Sequence, residues 1–158
     1  MRKPRILYNV RMRAAFADPF WILRLMRGEE IIASLSAWAR ATGLEGGQIS
    51  GLGAMRDATL GYYDESSRDY LRRDHPGPVE ILSLSGGIAR LEGKPYIHLH
   101  AVVSDREGRA FGGHLFRGTV TATGEIYVLP SRLLLQRAKD PVEPFSLLDL
   151  PDVPLEAP

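Results

Sequence analysis

Three histidines, His98, His100 and His114, fall within one stretch, "KPYIHLHAVVSDREGRAFGGHLFRG", of a chain that has four in all. Neutral imidazole is the commonest protein ligand for Zn²⁺ and also suits Ni²⁺, Fe²⁺ and Co²⁺, so three on one face would form a metal site. "PYIHLHAVV" alternates as a β-strand does, and a period of two puts His98 and His100 on the same side. His114 lies beyond the turn "SDREG", on the next expected strand. If Ser104 pairs with Ala110 across a five-residue loop, His100 stands opposite His114 and shares its face. A four-residue loop turns His114 away, unless Gly112-Gly113 forms a bulge that restores it. Those two glycines also leave space beside the site. The competing reading is that the histidines hydrogen-bond within a polar seam between subunits.

A metal-dependent enzyme would also need a general base and a substrate pocket. The acids near these motifs are Glu80 in "VEILSLSG", Asp105 in "VSDREG" and Asp64 at the end of "LGYYD". Asp105 is more simply a turn residue. Glu80 is open to three roles: a paired structural acid, a partner that orients a histidine, or a base. His75, in "RRDHPG", reads as a solvated loop histidine. No nucleophile–base pair stands out, so an enzyme of unknown reaction is the lesser reading. The chain has no cysteine, which excludes thiolate metal sites, cysteine nucleophiles and disulfides.

The elements that must position these groups fit one domain of 158 residues, large enough to bury a core without staples. Twenty Lys plus Arg against nineteen Asp plus Glu leave a net charge of +1, which gives no support for a dedicated polyanion-binding surface. No run of about 18 apolar residues is present, so no membrane span is expected. Arginines interrupt every apolar run near the N-terminus, so no signal-peptide core forms, and the chain reads as cytoplasmic.

Phe20 to Met26 is a short apolar strand. A helix is expected over about 28–42, with Glu29 and Glu30 in its first turn, where the helix dipole favours acids. Ile31, Leu35, Trp38 and Ala39 recur at helical spacing, and Gly43 supplies a left-handed stop. Short β-prone runs follow, parted by glycine, proline or charged turns, and among them Val79–Leu91 is expected to break at Gly86-Gly87. The glycines of "SGLGA" match no phosphate-loop pattern and suit a strand with close backbone contacts. Tyr62, Tyr63 and Tyr70 suit packing better than base stacking, and Asp64–Pro78 reads as an exposed hairpin or loop. The class is α+β, an antiparallel sheet with one main packed helix. A domain over 1–137 is followed at 138–158 by an acidic tail with five prolines. Phe145, Leu147, Leu148 and Leu150 give the first half of that tail a means of docking.

"ISGLGA", "LGYYD", "EILSLSG", "HLHA", "SD..G" and "GGHL", in that order, resemble the plants-and-prokaryotes conserved (PPC) domain over roughly residues 20–129. The resemblance implies a homotrimer, and a metal held by the family's histidines, here His98, His100 and His114. In plants this domain accompanies AT-hook DNA-binding motifs. An AT-hook needs an R-G-R-P core for the minor groove, and the nearest segment here, "RKPR" at Arg2–Arg5, lacks the glycine. The leading expectation is therefore a non-enzymatic trimer that binds a divalent metal, Zn²⁺ first, and a small ligand or partner protein. A DNA-binding regulator without an AT-hook is the alternative.

Overall fold

The computed structural model describes residues 11–150. The basic Arg2–Arg5 segment and the last prolines of the tail lie outside that range. Nine strands and one helix follow in the order β1 (Arg13–Ala17), β2 (Phe20–Met26), α1 (Ile31–Thr42), β3 (Gly47–Asp64), β4 (Asp69–His75), β5 (Val79–Leu91), β6 (Lys94–Ser104), β7 (Ala110–Pro130), β8 (Gln136–Lys139) and β9 (Ser146–Asp149). All named strand pairs are antiparallel except a single parallel bridge between β5 and β8, at Arg90 and Gln136. β3 pairs with both β5 and β7, and β6 pairs with the same two strands, so β3, β5, β6 and β7 close into a ring. Closure removes the edges of these four strands and lets their inward side chains form one core.

The helix starts later than its acids suggest. Glu30 is the N-cap, in extended conformation, and its carboxylate accepts from the backbone N–H of Ile32 at 3.2 Å and Ala33 at 2.6 Å. It also accepts from Gly118 N at 3.2 Å. Glu29 stays outside the helix, where its buried carboxylate takes two backbone donors, Met12 N at 2.9 Å and Met26 N at 2.7 Å. The expected start at 28 and the two first-turn glutamates are thus corrected: these acids terminate strands and cap the helix. At the far end Gly43 adopts φ 71°, and its N–H donates to the Ala39 carbonyl. Ile31, Leu35, Trp38 and Ala39 are buried and pack the helix into a core that includes Leu23, Leu25, Ile49, Leu99 and Ile126.

One other expectation changes. β5 runs through Gly86-Gly87 without a break, and its register shift against β6 lies between Ile81 and Ser83. The glycines are there for close approach, since a Cβ on Gly86 would overlap the His98 carbonyl oxygen. The 137/138 boundary falls inside β8, and the first half of the proposed tail folds back as the β8–β9 hairpin. Asp64 to Pro78 does contain an exposed hairpin, with β4 paired to the end of β3.

Candidate metal centre

Along β6, Ile97, Leu99, Ala101 and Val103 are buried, so the alternate residues His98, His100 and Val102 face away from the core. The turn after β6 is shaped by Asp105. Its carboxylate accepts from the N–H groups of Glu107 and Arg109, both at 3.0 Å, and from Arg109 Nε at 2.7 Å. Desolvation pushes its pKa up, but these bonds and the Arg109 charge together hold the carboxyl below its ordinary range. The five-residue loop sets Ser104 opposite Ala110, and His100 therefore opposite His114. The ring centroids lie 5.2 Å apart for His98–His100, 5.0 Å for His98–His114 and 5.4 Å for His100–His114. One nitrogen from each falls within 4.8 Å of the others.

Glycines let the strands approach closely enough for this. A Cβ on Gly112 would stand 2.5 Å from the Ala101 carbonyl oxygen, and one on Gly113 would overlap the Gly61 carbonyl oxygen. Their role is strand contact, which corrects the idea that they simply leave room beside the site.

An aromatic layer backs the cluster. Tyr70 lies 5.0 Å and Phe116 4.5 Å from the His114 ring. Tyr63 packs on Tyr70 and on Phe145 of the β8–β9 connection, and its hydroxyl donates to Glu143. Tyr62 instead is exposed, so packing within the chain accounts for Tyr63 and Tyr70 only. The hairpin also delivers Arg137, whose Nη2 lies 2.8 Å from His98 Nδ1 and whose Nη1 donates to the Ser146 carbonyl at 2.8 Å. Sequence reasoning missed Arg137. Nothing in "LLLQRAKD" distinguishes it from a solvated surface arginine.

Burial first, then Arg137 and His100, lower the pKa of His98 to about 4. Burial, then His98 and His100, followed by Arg72 and Arg137, lower that of His114 to about 4. Both rings are therefore neutral near pH 7, as metal ligation requires. Zinc–nitrogen bonds of about 2.05 Å in a tetrahedron place neighbouring nitrogens about 3.3 Å apart, so small side-chain rotations would complete the set. Nδ1 of His114 is buried with no hydrogen-bond partner among the described residues. A buried orphan nitrogen is costly unless something occupies it. Three clustered imidazoles with such an orphan fit a divalent ion.

The acids considered earlier lie elsewhere. Glu80 is exposed and pairs with Ser104, whereas His100 pairs with Ser85 further along β5. Asp64 caps its own turn through Ser66 and Ser67, which hold its carboxyl below the ordinary range. His75 is half-buried at the end of β4 and stacks on Phe111 at 4.4 Å, so it is not the solvated loop residue expected.

Comparison with known proteins agrees with this architecture. The bifunctional protein GlmU of a Synechococcus strain is 34% identical over 129 residues, which span 81% of this chain and 20% of that protein. The chain thus spans a fifth or less of the length of the curated relatives it matches. A crystal structure of a candidate DNA-binding protein from Ralstonia eutropha is 31% identical, with a TM-score of 0.81 and coverage of 87% of this chain and 96% of that one. A metal-containing protein from Archaeoglobus fulgidus is 30% identical, with a TM-score of 0.77 and coverage of 91% and 100%. Residues 12–131 match the Plants and Prokaryotes Conserved (PCC) domain, and the chain belongs to that family.

Proposed function

We propose that this protein is a non-enzymatic, homotrimeric binding module of the cytoplasm that holds a divalent metal on His98, His100 and His114. The carrying observation is the convergence of three imidazoles from two adjacent strands, each offering a nitrogen within 4.8 Å of the others. Zn²⁺ is the first choice, because an all-imidazole set with no geometric constraint suits it, with Ni²⁺ and Fe²⁺ as weaker candidates. The metal-containing relative from Archaeoglobus supports the reading. A bound ion would supply a Lewis-acidic centre with an open fourth position. Around it the chain's own residues exclude water on one side through Tyr70 and Phe116, and Arg137, 2.8 Å from His98 Nδ1, would give up that contact to the ion. Asp64 and Asp105 are engaged in their own turns and Glu80 is exposed further along β5, opposite Ser104, which favours binding over hydrolysis. Val102, which shares the outward face of the histidines and is 46% exposed, and the exposed pair Tyr62–Leu71 give that trimer apolar surface to bury.

Elemental analysis of the native protein together with its mass in solution tests both parts. One metal per chain in a species of three chains is expected, with metal lost in His98→Ala/His100→Ala. Metal-free native protein, or unchanged metal in the double variant, overturns the site. The Ralstonia relative favours a second reading, DNA binding, for which the near-neutral charge offers little attraction. A gel shift at low salt, where electrostatic affinity is greatest, separates the two.

A further inference from the structure

A cavity of about 460 Å³ opens beside His98 under the β8–β9 hairpin. Gly86 and Gly87 lie along it, Ile88, Leu129, Leu135 and Leu148 give it apolar walls, and among the described residues Arg137 is the one charged residue that lines it. Among the described residues no carboxylate pairs with this arginine. Its Nη1 is bound to Ser146, its Nη2 to His98, and its Nε is buried without a partner. The Tyr96 ring lies 5.2 Å from the guanidinium carbon and offsets part of the charge. Even so, a guanidinium never loses its charge in a protein, and a half-buried one without a counter-ion is costly.

The contact with His98 has a chemical corollary. Guanidinium nitrogens only donate, so His98 Nδ1 must accept, and the ring proton sits on Nε2. A neutral imidazole has one lone pair, which goes either to Arg137 or to a metal. A metal on His98 therefore frees Nη2, and Nη2 with the unpartnered Nε forms the side-on edge that grips a carboxylate with two parallel hydrogen bonds. A divalent ion and a guanidinium side by side, with three imidazole ligands and no acid beside them among the described residues, also leave positive charge that an external anion can balance.

We propose that this cavity binds a small monocarboxylate with an apolar tail. The carboxylate sits on the Nε–Nη2 edge of Arg137, facing the histidine cluster, and the tail lies among Ile88, Leu129, Leu135 and Leu148. One anionic head matches the one lining cation, and the remaining wall rewards hydrocarbon. The release of Nη2 by metal rests on the metal-site reading. His98→Ala also releases it, so the two can be tested apart.

The experiment is calorimetric titration of acetate, butyrate and hexanoate into zinc-loaded protein and into zinc-free His98→Ala, with hexan-1-ol as the uncharged control. Affinity should rise about fourfold per added methylene until the cavity is full. Hexan-1-ol should bind at least about tenfold more weakly than hexanoate. Arg137→Gln should lose at least about tenfold for hexanoate, and Arg137→Lys should recover only part of it. Hexanoate binding to His98→Ala when the native protein takes up no zinc would sink the metal reading and leave the carboxylate site standing. Zinc uptake without hexanoate binding in either protein overturns the carboxylate site, as does undiminished binding by folded Arg137→Gln. Preference for inorganic phosphate over hexanoate also overturns it. Should Arg137→Gln fail to fold, the chain-length series and the hexan-1-ol comparison on native protein decide the question.

Discussion

Gly86→Ala tests the idea that close strand approach, rather than any property of the histidines themselves, assembles the cluster. Gly86 pairs with Leu99, between the two histidines of β6. A Cβ there would overlap the His98 carbonyl oxygen and stand 2.9 Å from both the His98 carbonyl carbon and Leu99 Cα. All three are backbone atoms, so no side chain can swing away to relieve the clash. β5 and β6 must part locally, which costs about 1–3 kcal/mol in overpacking and about 1 kcal/mol in a weakened ladder bond. At about 2–4 °C per kcal/mol for a chain of this size, the melting temperature should fall by about 5–15 °C. Zinc affinity should fall with it, because His98 moves with its carbonyl. The matched control is Gly77→Ala: nothing lies within 4 Å of the added carbon, and no unusual backbone angle is required. It should be neutral or stabilise by up to about 1 kcal/mol through the unfolded state. Thermal melts followed by circular dichroism, with zinc content measured on the same samples, read both variants. A Gly86→Ala protein with native melting temperature and full zinc would refute the reasoning.

Three further outcomes follow from the geometry. Glu30→Ala removes an acceptor shared by Ile32, Ala33 and Gly118, and should cost about 1–2 kcal/mol in denaturant titration, with Glu30→Gln recovering part. In metal-free protein His98 and His114 have pKa values of about 4, below the unfolded value near 6.5. The unfolded chain then binds more protons between those limits, so stability should be full above about pH 6.5 and decline as pH falls towards 4. Partial exposure of both rings keeps the decline shallower than two whole protons would give. A flat melting temperature across that window would contradict the neutral, buried assignment. Arg137→Gln removes both a cation and the competitor for the His98 lone pair, so zinc should bind several-fold more tightly in a chelator competition. Weaker zinc binding would show that Arg137 supports the site.

Much of the fold and site is legible in the sequence. The helical stripe of Ile31, Leu35, Trp38 and Ala39 is a local periodicity, and burial follows it residue for residue. The parity of β6 and its turn is local too, because a loop of five residues links His100 to its partner strand. Other features depend on contacts between residues distant in sequence. Glu29 and Glu30 look like first-turn acids until Met12, Met26 and Gly118 present backbone donors to them. Gly86-Gly87 looks like a strand break until β6 approaches so closely that only glycine fits. Arg137 joins the site only because the β8–β9 hairpin folds back over His98, a docking that proline content and scattered leucines do not specify. Asp105 was legible as a turn residue because the groups it caps lie within four residues.

The ring of β3, β5, β6 and β7 also divides the folding reaction in time. The β6–β7 hairpin closes over residues 105–109, whereas the pairing of Gly47 with Pro130 must bring together residues 83 positions apart (130 − 47). Loop-closure entropy makes the first contact fast and the second slow. The three histidines lie on the fast-closing hairpin, so they can meet before the barrel is sealed. Refolding with zinc present should therefore show accelerated early structure while the final, ring-closing phase keeps its own rate.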